Sequence, residues 1–123
     1  ARREKGLEVI VGAVRDPDFG PFVLVGAGGI LTEYLSDSVM VSAPARPQSV
    51  RQALEELSLW RVLQGVRGRA NDVDALVDLV VTFSEIFAAS PWVSEADLNP
   101  VIVRPSGVGG AVAVDAAIVR SSR

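Results

Sequence analysis

Apolar residues in the first third of the chain follow the two-residue period of β-strands. Residues 7–14 are rich in β-branched side chains and partly alternating, and residues 22–26 repeat that character. The stretch between them, residues 16–21, is dense in Asp, Pro and Gly, so the pair is predicted to form an antiparallel hairpin. A third strand is predicted over residues 38–43, before Pro44.

The middle of the chain changes to the longer period of helices. Ser49 and Gln52 have the spacing of a capping box, which predicts a first helix beginning there. A longer helix is predicted to begin with a cap from Asn71 or Asp72 and to end at Ser90. The predicted apolar stripe of this second helix comprises Val73, Leu76, Val77, Val80, Phe83, Ile86 and Phe87.

The last third of the chain predicts a second hairpin. Residues 97–103 form its first strand, residues 111–119 form its second strand, and a glycine-rich turn at 105–110 joins them. The order of strands, helices and strands predicts an α+β fold, in which an antiparallel β-sheet has its helices packed on one face. The length of 123 residues suits one domain.

Oxygen-bearing side chains interrupt this otherwise apolar hairpin. Asp97 and Asn99 are two residues apart, so on a regular strand they point to the same face. Folding the turn near Gly107 brings Asp115 within about one residue of the position opposite Asn99. Two carboxylates and an amide oxygen in one place would suit Mg²⁺, which takes hard oxygen ligands. The alternative is that these residues occupy a solvated face, and spacing alone does not decide between the two.

Two further segments are candidates for holding a nucleotide or its phosphates. Glu33 follows the glycines of residues 26–29, where backbone can approach a ligand closely, although those glycines match neither a phosphate loop nor a dinucleotide fingerprint. Arg67 lies in a glycine-hinged loop between the two helices, and its planar guanidinium could bind a phosphate or carboxylate. An ordinary surface carboxylate and a solvated loop are the competing interpretations.

Composition excludes several kinds of chemistry. The chain has no Cys and no His, so it supplies no disulfide, no thiolate and no imidazole base. A net charge of −3 disfavours a nucleic-acid partner, and no apolar run approaches the roughly 20 residues that span a membrane. These features fit a cytoplasmic protein. Because the chain opens without Met, we expect it to be a fragment of a longer protein.

Six segments occur in an order that matches a known family. They are residues 6–12, residues 16–21, residues 26–30 with Glu33, residues 63–68, residues 95–100 and residues 114–116. The set resembles the ATP-grasp domain of NDP-forming acyl-CoA synthetases, relatives of succinyl-CoA synthetase, and it covers nearly the whole chain. The resemblance implies that residues 1–123 are the C-terminal portion of an ATP-grasp domain.

The resemblance also implies a reaction and roles within it. In this family ATP or ADP, with Mg²⁺, exchanges a phosphoryl group with a phosphohistidine on another domain during acid–CoA ligation. Asn99 and Asp115 correspond to the residues that hold Mg²⁺, and Asp97 would lie near the docked phosphohistidine. Glu33 and Arg67 are expected to contact the nucleotide. Such a sparse set is sufficient because phosphoryl transfer needs mainly positioning and charge neutralisation.

The implied partners are an N-terminal ATP-grasp subdomain and CoA-binding and ligase domains, in the same or a partner chain. We therefore expect the isolated chain to hold half a site, and its exposed face could also promote homo-oligomerisation. An alternative is the regulatory synthetase-like region fused to a GNAT-type protein lysine acetyltransferase, which this domain also resembles. A structural or interaction domain without a ligand is the third hypothesis.

Overall fold

The computed structural model describes residues 6–28, 38–65, 70–107 and 109–121. The elements are β1 (Leu7–Asp16), β2 (Gly20–Ala27), β3 (Ser38–Ser42), α1 (Pro47–Glu55), α2 (Leu59–Leu63), α3 (Val73–Ala88), β4 (Val93–Val103), β5 (Ala111–Ala113) and β6 (Ala116–Arg120). The strands form an antiparallel sheet in the order β3-β2-β1-β4-β5, and β6 pairs with β4 next to β5. The predicted α+β fold is confirmed.

The two faces of the sheet differ because successive side chains of a strand point to opposite sides. On β1, Val9, Val11 and Ala13 are buried in one core with residues of all three helices, including Leu54 and Leu76. The alternate residues of β1 are only partly buried. We call their side the open face; it carries Glu8, Ile10, Gly12 and Val14 of β1 together with the residues paired beside them.

Arg15 of β1 connects the C-terminal end of α3 to the sheet through three hydrogen bonds. The Nε of Arg15 donates to the backbone carbonyl of Val93 at 2.7 Å, and its Nη2 donates to the carbonyls of Ser90 and Phe87 at 2.7 and 2.5 Å. Its guanidinium carbon lies 4.2 Å from the centroid of the Phe87 ring. Arg15 thus connects the last turn of α3 to the residues that lead into β4 and adds a second donor to the carbonyls of Phe87 and Ser90, which also accept from the backbone N–H groups of Ser90 and Val93.

The start of α3 is fastened to the hairpin turn in a similar way. Asp72 caps the helix, as predicted, because its Oδ1 accepts a hydrogen bond from the backbone N–H of Ala75 at 3.0 Å. Its Oδ2 accepts from the N–H of Gly110 at 2.6 Å. Gly110 has a φ of 94°, a left-handed conformation that glycine adopts without strain. The turn between β4 and β5 is therefore held against α3.

The helices differ from the prediction in three respects. The first helix begins at Pro47, and its N-cap residue Arg46 makes no side-chain hydrogen bond. The predicted capping box at Ser49 is therefore wrong. Proline suits the first helical turn because its missing N–H would have no intrahelical partner there. The short α2 was not predicted, since five residues are too few to show a period. Ile86 is 61% exposed and does not belong to the buried stripe of α3.

None of the helices in the described residues combines the length and apolar character that crossing a bilayer requires.

The final hairpin also differs from the prediction. Its first strand begins at Val93, four residues earlier than expected, and runs to Val103. Its second strand is not continuous over 111–119 but is divided into β5 and β6, with Val114 and Asp115 between them. The division lies beside an irregularity of β4, and this irregularity forms the candidate site.

Candidate functional site

A β-bulge interrupts the pairing of β4 with β1. Val9 pairs with Val101 and Val11 pairs with Leu98, so β4 has two residues, Asn99 and Pro100, where β1 has one. Pro100 cannot donate a hydrogen bond to the ladder, and the Asn99–Pro100 peptide bond is cis. Bulges bend a strand and re-aim its side chains, and they are frequent beside functional sites.

The break between β5 and β6 lies directly beside this bulge. The register is the same on both sides, with Val101 paired with Ala113 and Leu98 with Ala116, which puts Asp115 opposite Asn99. The backbone N–H of Asn99 donates to the backbone carbonyl of Asp115 at 3.1 Å. The juxtaposition of these two residues that spacing predicted is therefore present in the structure.

Asp97 lies on the open face, two residues before the bulge. It pairs with Gly12 of β1 on one side and with Ala117 of β6 on the other. Its Oδ1 is 3.8 Å from the point that a Cβ on Gly12 would occupy, so the carboxylate borders the bare backbone of β1.

The side chains of this group retain hydrogen-bonding capacity. Within the described residues, neither the carboxylate of Asp97 nor the carboxamide of Asn99 has a hydrogen-bonding or ionic partner. The Oδ1 of Asp115 accepts from the N–H of the next residue, Ala116, at 2.8 Å. Asn99 and Asp115 are exposed and Asp97 is partly buried, so oxygen atoms of all three residues remain available to a ligand.

The donor set distinguishes between kinds of metal. Among the residues that the structure describes, no group of three or more His, Cys, Asp or Glu side chains could hold a metal ion. A closed cage of protein ligands, as at structural zinc sites, is thus absent from them. Two carboxylates and one carboxamide fit Mg²⁺ better, since that ion usually takes one or two carboxylates and completes its octahedron with water and phosphate oxygens.

Glu33 and Arg67 lie outside the described residues, and their predicted contacts with a nucleotide stay predictions. The described residues nearest to them in the chain are hydrogen-bonded to the sheet or to the turn that follows β4. The N–H of Gly28 donates to the carbonyl of Glu8 at 3.0 Å, beside the open face. The carbonyl of Ala70 accepts from the N–H of Ser106 at 2.7 Å, in the turn that follows β4.

Sequence reasoning overlooked Gly12 as a member of the site. The signal was present in the sequence, because a glycine inside a run of β-branched residues often marks a close approach to the backbone. Glu95 pairs with Val14 and stands on the same face as Asp97, two residues before it, and is not assigned to the site.

Similar proteins share this fold over most of the chain. A Candidatus Korarchaeum cryptofilum dinucleotide-forming acetyl-coenzyme A synthetase 1 superposes with a TM-score of 0.87 at 34% identity, covering 96% of this chain and 55% of that one. That structure is in complex with coenzyme A and Mg-AMPPCP, with its phosphohistidine segment pointing towards the nucleotide-binding site.

Relatives of assigned activity are CoA synthases and ligases. A trans-feruloyl-CoA synthase from an unknown prokaryotic organism is 44% identical over 112 residues, 90% of this chain and 16% of its own length. The beta subunit of ADP-forming acetate–CoA ligase I from Pyrococcus furiosus is 36% identical over 115 residues, 93% of this chain and 48% of its own length. The chain thus spans half or less of these two relatives, and neither supports the acetyltransferase alternative.

The family model for the ATP-grasp domain matches residues 1–119. The chain therefore belongs to the ATP-grasp domain family.

Proposed function

We propose that this chain is the C-terminal half of the ATP-grasp domain of an ADP-forming acyl-CoA synthetase, and that it binds ATP or ADP with Mg²⁺ on the open face. The observation that carries the proposal is that the β4 bulge lies directly beside the break between β5 and β6. At this point Asn99 is hydrogen-bonded to Asp115, and the unpartnered carboxylate of Asp97 lies close by. The relatives named above support the class of reaction.

Asn99 and Asp115 are proposed to supply the protein ligands of Mg²⁺. When bound, the ion would neutralise charge that accumulates on the phosphates during transfer. One amide oxygen and one carboxylate leave most of the coordination sphere to phosphate and water. An exposed pair of this kind can therefore bind the metal–nucleotide complex and release it again in each turnover.

Asp97 is proposed to receive a histidine from another domain or subunit, because this chain contains none. Its carboxylate would accept a hydrogen bond from one ring N–H, which leaves the lone pair of the other ring nitrogen free to attack the γ-phosphorus of ATP. A P–N bond then forms while the bond to the β–γ bridging oxygen breaks, and that electron pair leaves with ADP. The carboxylate stabilises the positive charge that the ring acquires.

The rest of the nucleotide site is proposed to come from an N-terminal ATP-grasp subdomain, which would close over the open face. Glu33 and Arg67 would contact the nucleotide at the margin of that cleft. Coenzyme A and the acid would bind on further domains of the same or a partner chain. Acid–CoA ligation at the expense of ATP would take place in the cytoplasm.

The metal requirement tests the proposed function. ATP and ADP are titrated by calorimetry into the full-length protein, with Mg²⁺ present and again after its removal with EDTA. Binding is expected to weaken at least about tenfold without Mg²⁺, since the phosphates then lose their link to Asn99 and Asp115. The isolated chain should bind only weakly, because it offers one side of the cleft. Equal affinity with and without Mg²⁺ would contradict the proposal.

A further inference from the structure

Gly12 lies in the interior of β1, and its backbone conformation does not require a glycine. Its φ is not among the positive values of the chain, so its conformation is one that any residue adopts. It pairs regularly with Leu24 on one side and Asp97 on the other. Glycine in a strand interior sacrifices conformational entropy and packs no side chain, which makes it unfavourable there without compensation.

Packing within the chain does not exclude a side chain at this position either. A Cβ on Gly12 would meet the carbonyl oxygen of Ala96 at 3.7 Å and the Oδ1 of Asp97 at 3.8 Å, which are ordinary contact distances. Other glycines are different: at Gly28 a Cβ would come within 3.3 Å of the backbone of Glu8. An alanine would fit at position 12 as far as the described residues are concerned.

The free volume above Gly12 is therefore open to a group from outside the described residues. It lies on the open face, and the side chain that borders it is the unpartnered carboxylate of Asp97. A group approaching Asp97 along the sheet would pass over the bare backbone of β1. A flat ring bearing an N–H donor suits both features, because it can lie against the backbone while the N–H donates to the carboxylate.

We infer that Gly12 is a positioning residue that keeps clear the space in which the ring of an incoming histidine lies when it hydrogen-bonds to Asp97. The inference rests on the proposed function. It adds to the role of the Asp97 carboxylate a role for Gly12 in leaving room for the histidine ring. A side chain at position 12 would lift the ring away from the sheet and misalign the attacking nitrogen with the γ-phosphorus. Misplacement by about 1 Å can cost about 10²-fold in rate.

The test uses Gly12→Ala and Gly12→Val in the full-length protein, with Val14→Ile as the matched control. Val14 lies on the same face of the same strand, two residues further along, so the control adds bulk away from Asp97. Three quantities are measured for each protein: the urea midpoint of unfolding, the calorimetric Kd for MgATP, and the rate of ³²P transfer from [γ-³²P]ATP to the protein's histidine.

Phosphoryl transfer is expected to fall about tenfold in Gly12→Ala and about 10²-fold in Gly12→Val, and to stay within about twofold in Val14→Ile. The Kd for MgATP should change less than about twofold, and the unfolding midpoint of Gly12→Ala should be equal to or above that of wild type. A role confined to strand stability would instead lower the midpoint and leave transfer intact.

Other outcomes overturn the inference in distinguishable ways. Wild-type transfer in both variants, with MgATP still bound, would mean that no ring occupies this space and would leave the proposed function standing. A parallel loss of MgATP affinity and transfer would assign the space to the nucleotide instead. Failure of the wild-type protein to bind MgATP would overturn the proposed function, and the inference with it.

Discussion

Replacing Asp97 by Asn in the full-length protein is expected to slow phosphoryl transfer to histidine by about 10²- to 10⁴-fold. The substitution keeps the size of the side chain and removes its negative charge, so the incoming ring loses the group that orients it and stabilises its positive charge. Binding of MgATP should change less than about twofold, because Asn99 and Asp115 are intact. Single-turnover ³²P transfer and calorimetry measure the two effects separately.

Glu95→Gln is the matched control for this prediction. Glu95 is exposed on the same face, two residues before Asp97 on β4, and its replacement also removes one negative charge. Transfer in the control should remain within about twofold of wild type. If both variants lose transfer equally, the general negative potential of the face is responsible and the specific role of Asp97 is wrong.

Replacing Arg15 by Ala is expected to lower the free energy of unfolding by about 2 to 4 kcal/mol. The side chain donates to the backbone carbonyls of Phe87, Ser90 and Val93, and its removal deletes these three partly buried, charge-assisted hydrogen bonds between the end of α3 and the sheet. The contact of the guanidinium with the ring of Phe87 is lost as well. Urea unfolding of the chain, followed by far-UV circular dichroism, measures the change.

Two companion variants separate the effect of losing these hydrogen bonds from the effect of losing a positive charge. Arg61→Ala removes a positive charge from an exposed position on α2 and should change stability by less than about 0.5 kcal/mol. Arg15→Lys retains the charge but replaces a planar, multiply donating group, and should recover only part of the loss. Equal stability of Arg15→Ala and Arg61→Ala would contradict the anchoring role.

The sequence predicted the parts of the fold that depend on local periodicity and turn chemistry. The first hairpin follows from β-branched runs on either side of residues 16–21, and the cap of α3 follows from the side chain of Asp72. The pairing of Asn99 with Asp115 was also predictable, because a short hairpin fixes its register at the turn.

The sequence did not predict features that arise between elements. The bulge at Asn99 and Pro100 is defined by the pairing of β4 with β1, which the sequence of β4 alone does not show. Beside this bulge, residues 111–119 form two strands, β5 and β6, although their sequence resembles one continuous strand. Ile86 continues the apolar period of α3, yet no described element covers it. Gly12 interrupts the β-branched run of β1 in the sequence, but what it leaves room for can be judged only when the space around it is known.

The most direct test of the central claim is calorimetric titration of MgATP into the full-length protein and into its Asn99→Ala/Asp115→Ala variant. Asp78→Ala, which removes an exposed carboxylate from α3 on the other face of the sheet, is the control. We expect the double variant to bind MgATP at least about 10²-fold more weakly than wild type, as loss of both protein ligands of the metal requires, and the control to bind normally. Wild-type affinity in the double variant would show that this hairpin does not hold the metal–nucleotide complex.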